Sequence, residues 1–199
     1  LLSAIYGGEE LIYRMIQKPE EILSVAKKLT QFYIKFTEFQ LRHIPDFYGG
    51  IGSFYYHVLA PPGTVWHQED SVMLLSPDMY RKFIFPFDAQ IFRAFQGNIM
   101  HFHSIGGYIP LHEVLALKPL AVEMHIDAGG PEARELYEMH TKILEVSPLI
   151  IWGRLSEDDL EWIFTKLPNR SVAVNAVVDD LEAATAYWMR YGAGKGRNQ

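Results

Sequence analysis

Apolar segments with a period of two alternate along this chain with amphipathic segments of period near 3.6, and that alternation limits the folds open to it. Residues 19–42 read as a helix: Pro19 suits its first turn, Glu20 and Glu21 suit its positive end, and Ile22, Val25, Ala26, Leu29, Phe32, Phe36 and Phe39 form an apolar stripe. "SFYYHVL" (53–59) reads as a strand, and 60–75 as a long loop. A second helix spans 77–95, with Ser76 as N-cap, Pro77 first, and a break expected at Pro86. There follow the strand "NIMHFH" (98–103), a short helix near 111–117, the strand "LAVEMHID" (120–127) and a helix over 131–146. The strand "LIIW" (149–152), a helix over 156–166 capped by Ser156, the strand "SVAVNAVV" (171–178) and a helix over about 180–191 complete the ordered part, and the tail "GAGKGRNQ" reads as frayed. Strands and helices alternating at this spacing predict βαβ units and a parallel sheet.

The 199 residues suffice for one domain with a sizeable core, and the composition, 49% hydrophobic and 14% aromatic, is globular. Net charge is −6 with no basic cluster, which argues against nucleic-acid binding. The absence of cysteine removes disulfides, thiolate metal sites and thiol nucleophiles, and fits a cytoplasmic protein. No apolar run is long enough for a membrane helix, and "LLSAIYGGEE" lacks both Met and a signal-peptide pattern.

Two strands carry the chemistry. Side chains alternate across a strand, so Ile99, His101 and His103 share one face, with Met100 and Phe102 on the other. On the next strand Ala121, Glu123, His125 and Asp127 share a face opposite Leu120, Val122, Met124 and Ile126. A parallel strand covered by helices is ordinarily apolar on both sides. Ionisable groups on one face of two successive strands therefore predict a polar cavity at the C-terminal edge of the sheet. The competing reading of any one of these histidines is a hydrogen-bonded structural residue. A His-x-His pair can also hold zinc or a similar ion, with His103 joined by Glu123, His125 or Asp127. The loop "VWHQEDSVMLLSP" brings His67, Glu69, Asp70 and Ser71 to the same edge, unless it is simply a solvated acidic loop. The glycine pairs 106–107 and 129–130 follow strands, where backbone N–H groups can hold an anion or merely make a turn.

On these residues the chain resembles the uroporphyrinogen decarboxylase superfamily, which includes cobalamin-linked methyltransferases. "EDSVMLLSPDMYRKFIFPFDAQIF" is similar to its acidic/Ser loop and following helix, and "HFHSIGG" to the His-x-Cys-Gly strand end of the methyltransferase branch. "SPLIIWGRLSEDDLEWI" resembles a late strand–helix unit, and "YGGEELIYRMIQKPEEIL" a mid-barrel helix after a Gly-rich turn. The resemblance implies a (β/α)₈ TIM barrel, incomplete in this chain, which matches its C-terminal two-thirds. Leu1–Ile5 would then be the remnant of a strand, with the N-terminal strands removed or supplied by another chain. By position His103 matches the family's zinc-ligand histidine, Ile105 stands where the methyltransferases have a zinc-binding Cys, and Asp70-Ser71 matches a decarboxylase loop that contacts the tetrapyrrole.

The leading expectation is a cofactor-free decarboxylase acting on tetrapyrrole acetate side chains or a related small acid. Asp70, Ser71 and His103 would then be catalytic, and His67, His101, Glu123, His125 and Asp127 would bind substrate. The alternative is a methyltransferase using zinc, held by His103, Glu123 and His125, and a corrinoid protein partner, on a methylated or methoxylated small molecule. A third is a non-catalytic, degenerate barrel. Many members of the family pair as homodimers.

Overall fold

The computed structural model describes residues 1–53, 58–105, 108–168 and 170–192. Three helices lead: α1 (Leu2–Tyr6), α2 (Gly8–Gln17) and α3 (Pro19–His43). An antiparallel pair follows, β1 (Ile51–Ser53) with β2 (Val58–Ala60). The body is a five-stranded parallel sheet of β3 (Thr64–Gln68), β4 (Gly97–His103), β5 (Ala121–Ile126), β6 (Leu149–Gly153) and β7 (Val172–Ala176), in chain order. Helices α4 (Pro77–Phe83), α5 (Phe85–Ala94), α6 (Leu111–Ala116), α7 (Tyr137–Leu144) and α8 (Glu157–Lys166) occupy the connections, and α9 (Leu181–Tyr187) follows β7.

The expected parallel α/β order is present. Ser76 caps α4 by accepting from Met79 N, and Ile84 interrupts the helix just before Pro86, which cannot donate to the preceding turn. Ser156 and Asp159 form a capping box on α8.

Several expectations give way. Leu1–Ile5 is not a strand remnant: Leu2–Tyr6 is a helical turn, with the Ala4 and Ile5 N–H groups bonded to Leu1 O. Gly7, at φ 78°, ends that turn and lets α2 start at once. The stretch 60–75 is not one loop, because Thr64–Gln68 forms β3, the first strand of the sheet. Its five residues stand between the breaker run Pro61-Pro62-Gly63 and an acidic turn, so tertiary pairing with β4 reveals a strand that periodicity hides. The helix expected over 131–146 shortens to Tyr137–Leu144, since residues 131–136 turn back on themselves. The strand expected over 53–59 falls partly outside the described residues, as do the glycine pair 106–107 and most of the C-terminal tail.

Strand alternation sorts the sheet into two faces. Met100, Phe102, Val122, Met124, Leu149 and Ile151 point into a large apolar core shared with the helices. On the other face Ile99, Ala121 and Ile150 form a second, smaller cluster with Ala60, against which Ile51, Val58 and Trp66 pack. The β1–β2 pair thus covers the N-terminal end of this face and leaves its C-terminal end to polar groups.

Two histidines lie on the apolar side. His140 on α7 is fully buried, and His67 is 7% exposed, edge-on to the Phe92 ring at 5.3 Å. Neither has a hydrogen-bond partner for its ring nitrogens, and burial lowers each pKa to about 4. Their folded pKa lies below the unfolded value, so their stabilisation is complete above about pH 6.5 and fades as pH falls towards 4. Asp88 works oppositely: burial raises it to about 6, and the stability it adds is lost as pH rises through that value. We expect His140→Leu to remove one of the two acid-labile contributions. Urea unfolding at pH 7 and pH 5 checks this, with the variant's loss between them smaller than the wild type's by about 2 kcal/mol.

Candidate active site

Register explains why the polar residues meet. In parallel pairing Gln68, His101, Glu123 and Ile150 form one row, and His103, His125, Trp152 and Asn175 the row nearer the C-terminal end. Both rows lie on the face opposite the large core. The His101 and His103 rings are 4.8 Å apart by centroid, and those of His103 and His125 are 5.0 Å apart. One ring nitrogen from each of the three lies within 4.8 Å of the other two.

Each strand-β4 imidazole is oriented by a carboxylate. His101 Nδ1 contacts Glu123 Oε2, with both side chains buried. His103 Nδ1 lies 2.7 Å from Asp127 Oδ1. If each Nδ1 donates to its carboxylate, Nε2 carries the lone pair of that ring. Both Nε2 atoms lie 3.7 Å from Asp70 Oδ1, at the cavity rim, where Asp70 is about half exposed. His125 has its ring on Trp152, with centroids 4.4 Å apart and planes 31° apart.

The electrostatics suit these roles. Burial pushes the Asp127 carboxyl up, but the Ile105 N–H at 3.0 Å and the His103 imidazole outweigh it and hold it below the ordinary value. Asp127 therefore stays an acceptor, and its second oxygen also takes the Ser104 hydroxyl. Burial raises Glu123, with His101 opposing. Burial lowers His125, favouring the neutral imidazole that can donate a lone pair. Asp127→Asn leaves the strand intact but removes the anion behind His103. For an ion held by these imidazoles, affinity is expected to fall about 10–100-fold, measured by competition with a chromophoric chelator.

Of the residues singled out in the sequence, His101, His103, His125, Glu123, Asp127 and Asp70 come together. The ligand atoms close enough together to hold an ion come from His101, His103 and His125, and Glu123 is not among them. Glu123 is fully buried and turned to His101 Nδ1. Ser71 lines the cavity, but its hydroxyl donates to Ser3 Oγ at 3.2 Å and so ties the loop to α1. His67 pairs in register with Met100 and so lies on the helix side of β3, away from the imidazole cluster. The Gly130 N–H is taken by Asp127 O at 3.0 Å, which makes the 129–130 pair a turn and removes one donor from an anion site there.

Tyr80, Asp88 and Trp152 were not singled out in the sequence as site residues, whereas Glu69 was. Glu69, Asp88 and Tyr80 form a buried chain in which the Tyr80 hydroxyl donates to Asp88 Oδ2 at 2.6 Å and Asp88 shares a hydrogen bond with Glu69. Burial and the neighbouring Asp88 hold Glu69 well above the usual carboxylate range. Tyr80 and Asp88 are eight residues apart, on one helical face, so an acid at a core position was the available signal. Trp152 carried no signal, because its place beside His125 depends on register.

A cavity of about 820 Å³ opens at this end of the sheet, bounded by the imidazoles, Trp152, the β3 loop and helices α1–α3 and α5. Among its described lining residues none is Lys or Arg.

No protein-family model matches the chain, and no curated protein matches it.

Proposed function

We propose that the chain is a metal-assisted enzyme in which His101, His103 and His125 hold one divalent ion, zinc by donor type. We further propose that it transfers a methyl group between a methylated small molecule and a corrinoid protein, as the methyltransferase branch of the resembling superfamily does. The carrying observation is the convergence of three imidazoles within 4.8 Å, two of them backed at Nδ1 by carboxylates. Imidazole nitrogens suit zinc, and a carboxylate behind a ligating histidine is the usual support of such a site. The donor set is nitrogen, where the resembling methyltransferases use thiolate. On this reading the five parallel strands, paired in chain order, are a sector of a (β/α)₈ barrel.

A bound zinc ion would act as a Lewis acid on a substrate heteroatom. The chain's own residues do the rest. Glu123 and Asp127 fix the tautomers and ring planes of His101 and His103. When the methyl leaves for cobalt, the substrate's oxygen or nitrogen keeps the C–O or C–N bonding pair and needs a proton, which Asp70, close to both Nε2 atoms and open to solvent, is placed to relay from water. Trp152 covers His125 and keeps water from one side of the cluster.

Tetrapyrrole decarboxylation is the less supported alternative. It needs cations to hold the side-chain carboxylates, whereas the described lining carries Glu69, Asp70 and Asp88 and no Lys or Arg. The deciding assay presents the zinc-loaded protein with cob(I)alamin and a panel of O- and N-methylated donors. Conversion to methylcobalamin that stops on chelation is the expected result. Release of CO₂ from a porphyrinogen with no methyl transfer overturns the proposal.

A further inference from the structure

The apolar stripe of α3 does not stay on one side of the helix. Ile22 and Ala26 are buried and Leu29 is half-buried, but Phe32, Phe36 and Phe39 are 62%, 49% and 52% exposed. Helical spacing accounts for the drift. At about 100° per residue the buried positions Ile22, Ala26 and Thr30 centre on one side, and the three phenylalanines lie roughly 110° round from it. The Phe32 and Phe36 rings stack, with centroids 5.7 Å apart and planes 8° apart, and the Phe39 ring lies 4.2 Å from that of His43. None of the three lines either of the two cavities that α3 borders. They form a ridge along the outside of the helix.

A basic row runs beside the ridge. Lys28, Lys35 and Arg42 are seven residues apart, so they fall within about 40° of one another, roughly opposite the buried side and next to the phenyl rings. The row is about 21 Å long at about 1.5 Å per residue. All three residues are exposed. The one acidic residue between Lys27 and His43 is Glu38, so this face is positive on a chain whose net charge is −6.

An exposed apolar row of this kind calls for a cover, and the charge beside it selects one. A docked acidic helix seats its apolar face in a groove, whereas these rings stand proud. An antiparallel two-fold pairing of two copies would set their Lys/Arg rows along the same side, like charge against like. A membrane surface with anionic headgroups accepts both rows at once: the rings enter the boundary between headgroups and acyl chains, and the cations meet the phosphates. We propose that α3 rests on an anionic lipid surface through Phe32, Phe36 and Phe39, with Lys28, Lys35 and Arg42 against the headgroups. The imidazole cluster takes no part in this contact.

Co-sedimentation of the full chain with vesicles tests it. Binding to vesicles of 30% phosphatidylglycerol in phosphatidylcholine is expected to be at least tenfold stronger than to phosphatidylcholine alone, and to weaken at least fivefold between 0.1 M and 0.5 M NaCl. Lys35→Glu should weaken it tenfold or more, since each unit of charge near such a surface is worth about fivefold. Phe32→Ser should weaken it about fivefold or more, and because the ring is exposed its urea midpoint should stay at the wild-type value. Lys142→Glu, the same charge change made on α7, should stay within twofold of the wild type. Absence of binding, equal binding to the two vesicle types, or anionic binding that survives both Lys35→Glu and Phe32→Ser each overturns the proposal. So does a dimer in sedimentation equilibrium that Phe32→Ser dissociates, which would give the ridge to a second copy.

Discussion

His103→Ala will abolish stoichiometric zinc binding. The wild type is expected to carry about one equivalent after dialysis against buffered zinc, and the variant less than a tenth of that, by elemental analysis. The size of the effect follows from geometry. His103 lies between His101 and His125, within about 5 Å of each ring centroid, so its loss removes the central donor and separates the remaining two, whose centroids are 6.2 Å apart. Two imidazoles without a third protein donor leave a site that exchanges readily with solvent. His140→Ala, which removes an imidazole from the helix side of the sheet, should leave the zinc content at one equivalent. Loss of zinc in both variants would mean that the metal follows general folding and not this cluster.

The largest structural effect is expected from Gly153→Ala. Gly153 ends β6 at φ 151°, opposite Ile126, and a Cβ there would stand 2.4 Å from Ile126 O and 3.3 Å from His125 Cδ2. The first contact is with backbone of the neighbouring central strand, so relief requires β5 and β6 to separate. We expect a cost of about 3 kcal/mol or more, read as a lowered urea midpoint with an unchanged slope. The same displacement moves His125 relative to Trp152. Zinc affinity should therefore fall even at temperatures where the variant remains folded. An unperturbed midpoint would contradict the close approach of the two strands at the site.

The alternation along β4 and β5 carried most of what could be known in advance. It put His101, His103, Glu123, His125 and Asp127 on one face and predicted a cavity at the C-terminal edge. The alternation left open which carboxylate serves which imidazole. That depends on the stagger between strands, which pairs His101 with Glu123 and His103 with His125 and leaves Asp127, one residue beyond β5, to reach back to His103. Glu123 has a residue type that permits metal binding, but its Oε2 is turned to His101 Nδ1 and both side chains are buried, an arrangement the sequence alone does not show. His67 shows the converse. It shares a loop-and-strand segment with Asp70, and only the discovery of β3 assigns it to the opposite face. Short strands bounded by Pro and Gly, such as Thr64–Gln68, carry too few residues for their period to declare itself. Long amphipathic stripes, such as that of α3, have no such difficulty.

Zinc K-edge X-ray absorption of the metal-loaded protein tests the central claim most directly. Three imidazole scatterers in the first shell, at about 2.0–2.1 Å, are expected, and His125→Ala, left with two, is expected to lose the stoichiometric ion and with it that shell. A first shell with no more than one imidazole, or one unchanged by that substitution, would contradict a centre built from His101, His103 and His125.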